Sequence, residues 1–569
     1  MTLNFEFSRR TLLGGCAATL AAPGWAQPAA RLLDPLNADL VVRNARIYTV
    51  EAALPKAEAL AVRAGRFVAV GSNAAVERLI GKGTRVIDAQ GMTVVPGFID
   101  CHLHPSGETL LYEVLVGNPY DVEFVTIESI ISKLKERAAQ TPPGFWVEGY
   151  FYDDTKVKDG RLITRADLDR VSTVHPVAVY HRGGHTSFYN SKAFELARVT
   201  KETPQPFGGT FDRDSAGELN GRVTDNAQDL LWKVGRRPQY SADQKAARAR
   251  AGLAHISKQF ARFGLTSVHH EGGDFSALLQ VRQEGNLKHR VSYEADQPML
   301  EAMIAHGWRS GFGDEWIRLG ATAEHMVDGS FSERTMSIRA GYPGRPGYRG
   351  NVTTTQADLD AWVERVWRAG IQPNCHTNGD IAIGMYLSAL ERAQRRFPRR
   401  AVRPKFTHAT LADAGLIARM KALDAVPALF TSYAYYNPDK FRFYGQQLMQ
   451  HMMPYRSYLD AGIKAAAGCD FDPGPFSPLM GIQGMVTRTG WNGETWGASQ
   501  RISVPGALRV YTWNGAYNSH EEQEKGSIRV GKLADFVILA DDPHDVEPGK
   551  LKDIVVVRTV VGGRATHYG

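Results

Sequence analysis

Eight strand-like runs alternating with helical ones predict an α/β fold, a (β/α)8 TIM barrel, over residues 96–520. Short β-rich segments at both chain ends, 38–95 and 525–569, are each too small for a stable sheet, and together predict one composite β-sandwich domain. The gap between the first and second barrel runs is too long for one βα unit and predicts an insertion at about 110–240, whose fold the sequence leaves open.

The chain starts with an address. Ser8-Arg9-Arg10-Thr11-Leu12-Leu13 is a twin-arginine pattern, followed by a weakly apolar stretch from Leu12 to Ala22 and a small-residue cleavage site at Gly24-Trp25-Ala26. Residues 1–26 therefore read as a signal peptide, and the expected destination is the periplasm or the medium. The apolar stretch is too short to span a bilayer, so no stable membrane insertion is expected. The 569 residues exceed one ordinary core, and 43% hydrophobic with 22% charged residues is the balance of a globular protein. A net charge of +7 is scattered without a basic stripe, which argues against a nucleic-acid partner. The sequence does not set the subunit number, and a homo-oligomer is compatible with it.

In the β-domain, Ala38 to Thr49 reads as strand, bend, strand, and Glu58 to Gly71 as a hairpin around Ala64-Gly65. Arg85 to Gly91 continues the pattern, and Gly531 to Leu539 and Asp553 to Gly563 supply the partners from the other end. The barrel then opens with Val94 to Pro105, an apolar strand ending in His102-Leu103-His104. Alternation puts both imidazoles on one face, half of a metal site. Further strands are expected at Leu265–His270, Arg290–Ala295, Ile317–Met326, Ile371–His376, Pro404–His408, Ala425–Phe430 and Ile463–Asp470. Helices such as Leu359 to Ala369 and Ile381 to Arg396 fall between them.

Functional residues of such a barrel sit at the C-terminal ends of its strands. Those ends carry His102 and His104, then Glu324, His376, His408 and Asp470, six metal-type residues and the candidate ligand set. Cys101, Cys375 and Cys469 each directly precede a candidate ligand. Alternation turns them outward to the helix layer, as packing residues rather than ligands or disulfide partners.

The motifs Pro96-Gly97-Phe98-Ile99-Asp100-Cys101-His102-Leu103-His104, Gly264-Leu265-Thr266-Ser267-Val268, Asp328-Gly329-Ser330, His376-Thr377-Asn378-Gly379-Asp380, Thr407-His408-Ala409, Gly468-Cys469-Asp470-Phe471-Asp472 and Gly531-Lys532-Leu533-Ala534-Asp535-Phe536 form a specific set. On these the chain resembles the amidohydrolase superfamily, and within it the family-3 group that includes the N-substituted formamide deformylases. The resemblance covers nearly all of the mature chain. It implies one or two divalent metals, zinc foremost, and hydrolysis of a C–N bond in an amide, formamide or carbamate. It also implies Asp470 as general base, moving a proton from water to the leaving nitrogen. The family commonly carries a carbamylated lysine four residues before the Asp-Gly, where this chain has Glu324; a carboxylate bridging two cations directly is the expected substitute.

His181 and His185 flank Gly183-Gly184 in the insertion, and the resemblance places such a segment near substrate, with His185 the stronger candidate. Of His269 and His270, one is expected to face the barrel interior and one not. Asp380 and Asp472, just beyond the ligands, fit supporting or capping roles. Aromatic residues at the expected mouth, Tyr152, Tyr435 and Trp491 among them, suggest an apolar or aromatic substrate group. The competing readings are a deaminase or cyclic-amide hydrolase on the same scaffold and, a distant third, a non-catalytic scaffold.

Overall fold

The computed structural model describes residues 37–569, so the signal peptide expected at residues 1–26, Cys16 included, lies outside the described residues. The fold is a TIM-barrel-like α/β arrangement. Its parallel strands are β1 (Phe98–Leu103), β2 (Leu265–Glu271), β3 (Arg290–Ala295), β4 (Ile317–Thr322), β5 (Asn374–Thr377), β6 (Lys405–His408), β7 (Val426–Phe430) and β8 (Ala466–Gly468). β1 to β4 form one parallel sheet. The short strand His325–Met326 pairs with β5 and heads a second sheet running through β8.

Backbone hydrogen bonds connect these sheets at both seams. Thr322 N–H donates to the Gln372 carbonyl at 3.0 Å, and Asp470 N–H donates to the His102 carbonyl at 2.9 Å. The buried Asp100 carboxylate adds a stitch, accepting the N–H of Cys469 and of its own neighbour His102. Burial pushes the Asp100 carboxyl up to about 6 although these donors favour its charged form.

The opening stretch is not one strand. It divides at Gly97: Thr93–Pro96 pairs in the β-rich sheet, while Phe98–Leu103 pairs with β2. Gly97 permits the crossing because a Cβ there would sit 2.0 Å from Thr266 Oγ1. Strands from both chain ends share that six-stranded sheet: Thr93–Pro96 runs antiparallel to Phe536–Leu539, followed by Val556–Val561 and Arg564–Tyr568. A four-stranded sheet holds Leu40–Arg43, the hairpin Ala59–Arg63 with Arg66–Gly71, and Arg85–Asp88. Ala64 and Gly65 both have positive φ, the turn that matches strand twist in a two-residue hairpin. Leu40, Val42, Leu60 and Phe67 pack with Val94, Phe536 and Ile538 in one apolar cluster spanning both sheets.

The insertion has its own sheet, six strands in the order Gly209–Arg213, Leu219–Asp225, Thr186–Tyr189, Val177–His181, Val147–Tyr152, Val114–Leu115. The helix Ile127–Gln140 buries Ile127, Ile130, Ile131 and Leu134 against it. A long helix, Ala242–Arg262, leads back to the barrel and starts with a Ser241/Gln244 capping box. No described helix is long and apolar enough to cross a membrane.

Candidate metal centre

β1, β4, β5, β6 and β8 or the residues just after them bring His102, His104, Glu324, His376, His408 and Asp470 together. His102 Nε2 and His104 Nε2 each lie 3.2 Å from Asp470 Oδ1. Glu324 Oε2 is 3.1 Å from His376 Nδ1, 3.6 Å from His102 Nε2 and 3.7 Å from His408 Nε2. Three triads have donor atoms close enough for one cation: His102, His104 and Glu324; Glu324, His376 and His408; and His102, His408 and Asp470. Glu324 belongs to the first two.

Local backbone sets these directions. His408, at the end of β6, and Asp470, two residues past β8, have φ values of 72° and 53°, a left-handed region unfavourable for residues with a Cβ. Strain of this kind persists only where the surroundings over-determine it, and it collects at functional sites. Asp328 supports β5 by accepting the N–H groups of Ser337, Asn378 and Gly379 and the Ser337 hydroxyl. His376 Nε2 lies 2.9 Å from Asn378 Nδ2, leaving Nδ1 for the cluster.

The electrostatics suit a cation site. Burial alone would raise the Glu324 carboxyl, but His376, His102 and His408 hold it well below the usual range. The same contest at Asp470 is decided by His408, His102 and His104, again in favour of the carboxylate. Burial opposes charge on His102, yet Glu324 and Asp470 raise it well above its ordinary value. Burial, reinforced by His376, drives His408 well below its own. Both ring nitrogens of His102 are buried without a hydrogen bond of acceptable geometry. A ring nitrogen left so in a protein interior is costly. A divalent metal would satisfy it, and the nitrogen–oxygen donor set fits zinc and similar ions. His104, its side chain 38% exposed, is where the cluster meets solvent.

Three charged residues next to the ligands escaped the sequence reading. Glu271 ends β2, Glu294 lies within β3, and an oxygen of each is 3.9 Å from His102 Nδ1. Glu271 Oε1 also accepts the Glu324 N–H at 2.8 Å. Lys405 on β6 pairs with Glu294 and donates to the Cys101 carbonyl. Glu294 and Lys405 were each a charge inside an expected strand, which alternation turns inward, and Glu271 lies one position beyond the expected strand Leu265–His270.

His185 sits against the cluster, its ring centroid 4.9 Å from that of His376. Burial would lower it, but Asp225, 2.8 Å from Nδ1, raises it to about 9. Tyr152 is a correction: its side chain is wholly buried in the core of the insertion, and its hydroxyl accepts the Ile163 N–H. Tyr435 and Trp491 lie elsewhere on the surface of the loops. They line a separate cavity of about 600 Å³ with Gln483, Arg501 and Pro548, and none of the six candidate ligands forms its wall. His269 faces Glu294, whereas His270 turns outward to His289. Asp472 accepts the Ser106 hydroxyl, and Asp380 opens its helix and pairs with Arg339. Cys101, Cys375 and Cys469 are buried and free.

Asp153, Asp154 and His181 in the insertion form another group of metal-type residues. Lys440 already pairs with Asp153 and Arg334 with Asp154, so cationic side chains occupy that place.

The sequence pattern of the amidohydrolase family matches residues 85–567. An N-substituted formamide deformylase from Arthrobacter pascens is 27% identical over 549 residues, covering 92% of this chain and 97% of that protein. Protein LONG AFTER FAR-RED 3 of Arabidopsis thaliana is also 27% identical, covering 93% and 91%. Among solved structures, an uncharacterized metal-dependent hydrolase from Pyrococcus horikoshii superposes with a TM-score of 0.68 at 21% identity, covering 90% of this chain and 99% of that one. At that identity the likeness speaks for the fold alone.

Proposed function

The chain belongs to the amidohydrolase family, and from that premise we propose a metal-dependent hydrolase that cleaves the C–N bond of an amide, N-substituted formamide or carbamate. One observation carries the reading: the Glu324 carboxylate is common to two three-residue groups, one with the β1 histidines and one with His376 and His408. In this reading Glu324 would be a ligand common to two zinc-type ions. His102, His104 and Asp470 complete one set, His376 and His408 the other. Two carboxylates among four imidazoles suit a dinuclear dication centre without a carbamylated lysine.

When bound, such ions supply Lewis acidity toward a carbonyl and make water nucleophilic at neutral pH. The residues do the rest. Asp470 is held ionised by His408, His102 and His104, and in this reading it accepts a proton. Handing that proton to the departing nitrogen completes the cleavage, because an unprotonated amine leaves poorly. His104, the exposed ligand, marks the side from which substrate arrives. The Arthrobacter relative's name supports the formamide class, at 27% identity. We infer periplasmic or secreted placement from the twin-arginine pattern at Ser8 to Leu13.

Metal analysis with an amide, formamide and carbamate panel tests the proposal. Two equivalents of metal and release of an amine with a carboxylate or carbon dioxide are expected. Ammonia release from an aminated ring, with no turnover of the panel, would replace it with the deaminase reading.

A further inference from the structure

The cavity of about 600 Å³ lined by Tyr435 and Trp491 is assembled from parts distant in the chain. Tyr435 comes from the turn Tyr433–Tyr436 after β7. Gln483, Val486 and Thr487 come from the helix Pro478–Thr487 after β8, and Trp491 and Arg501 from the loops beyond it. The Trp491 N–H donates to the Tyr435 carbonyl at 3.0 Å, which ties the two aromatic residues together. The volume is that of a small-molecule site.

Two donors in this wall lack partners. Gln483 is only 4% exposed, and its Oε1 accepts the Lys552 N–H at 3.0 Å, which fixes the way the amide faces. The Nε2 on its other arm has no hydrogen-bond partner among the described residues. Arg501 gives its Nε to the Thr487 carbonyl at 2.7 Å, and its two terminal nitrogens have neither a hydrogen bond nor an ion pair among the described residues. No Asp or Glu lines the cavity. The Lys552 ammonium, 5.6 Å from the Tyr435 ring, is already taken by Asp553. A buried amide with unpaired N–H groups is costly, and a guanidinium free of carboxylates is a fork shaped for one. Groups that only donate, set beside two aromatic rings, select an anion on a flat apolar body.

We propose that this cavity binds an aromatic carboxylate. The carboxylate takes the Arg501 fork and the Gln483 amide, and its ring lies against Tyr435, Trp491 and Val486. Binding here needs neither a metal nor turnover, so it stands independent of the hydrolase reading. The aromatic residues that the sequence suggested for the substrate then serve a second site, apart from the six candidate ligands.

Calorimetric titration of the metal-loaded protein with 2-naphthoate tests this, with 2-naphthylmethanol as the neutral counterpart. One naphthoate should bind per chain. The alcohol should bind about 10-fold more weakly, because it forfeits the hydrogen bonds made to a charged group. Arg501→Gln and Gln483→Glu should each weaken naphthoate by about 10-fold. Gln483→Glu keeps an acceptor for the Lys552 N–H and sets a like charge against the ligand. Arg501 is exposed, so Arg501→Gln leaves the core untouched and decides the case even where Gln483→Glu fails to fold. Trp491→Leu should weaken acid and alcohol alike. Absence of binding to wild type overturns the proposal. Naphthoate binding that Arg501→Gln leaves unchanged also overturns it, since the acid then sits elsewhere, the metal centre included. Equal affinity for acid and alcohol overturns it as well.

Discussion

Lys405 and Glu294 form an ion pair in which neither side chain has any solvent exposure. Lys405→Met would strand the Glu294 carboxylate beside His102, and breaking a buried pair in this way costs about 3–5 kcal/mol. Lys405→Met combined with Glu294→Gln should recover much of that loss. Denaturant unfolding of the metal-free single and double variants checks it; equal stability of the two would mean that the charge pair is not the reason for the loss.

Glu324→Gln tests the shared carboxylate. A neutral amide cannot serve two cations as a carboxylate can, so bound metal should drop from two equivalents to one or fewer. Wild-type loading should not respond to bicarbonate, since no lysine needs carbamylation. A Glu324→Gln protein that keeps both ions would count against the bridge.

Asp470→Asn should keep most of its metal and lose turnover by about 10²–10⁴-fold, the range for a positioned proton carrier. Metal analysis and single-turnover kinetics on one preparation separate the two effects. An active variant would move the base elsewhere.

His270 Nε2 lies 2.9 Å from His289 Nε2, and His289 Nδ1 lies 2.9 Å from Ser257 Oγ. Burial drives His270 down to about 3 and holds His289 well below its ordinary value. In the unfolded chain both take a proton near 6.5. Their folded values are the lower ones, so the stability they contribute is complete above 6.5 and lost as pH falls toward 3. The unfolding temperature of the metal-free protein should fall across that window, and less steeply in a His270→Gln, His289→Gln variant. Parallel pH profiles would exclude the pair as a source of acid sensitivity.

Burial raises the thiols of Cys101, Cys375 and Cys469. Alkylation by iodoacetamide should therefore wait for unfolding. Rapid labelling of the native protein at any of these three would contradict their place behind the ligands.

The barrel strands were legible because short, largely apolar runs ended in polar residues, and period-two alternation made His102, His104, His376 and His408 stand out as a set. Asp470 and Glu324 followed from the same strand-end logic. Glu294 and Lys405 were hidden inside runs read as strands, where one charge does not break the pattern, and Glu271 fell one position past the expected strand end at His270. The Asp225–His185 contact spans forty positions and depends on an unusual backbone angle, which no local pattern reports. Tyr152 misled because an aromatic side chain near an expected mouth looks the same in sequence whether it faces substrate or a core. The split at Gly97 was invisible because both halves are apolar.

Val94 and Ile538 are neighbours in one sheet. The ribosome makes the first of them early and the second almost a whole chain later. Until then the exposed edge at Thr93–Pro96 has no C-terminal partner, and the barrel strand that follows it carries the first two metal-ligand candidates on an unfinished support. Completion of the fold is therefore an event after synthesis, and loss of a short C-terminal piece would be felt at the opposite end of the polypeptide.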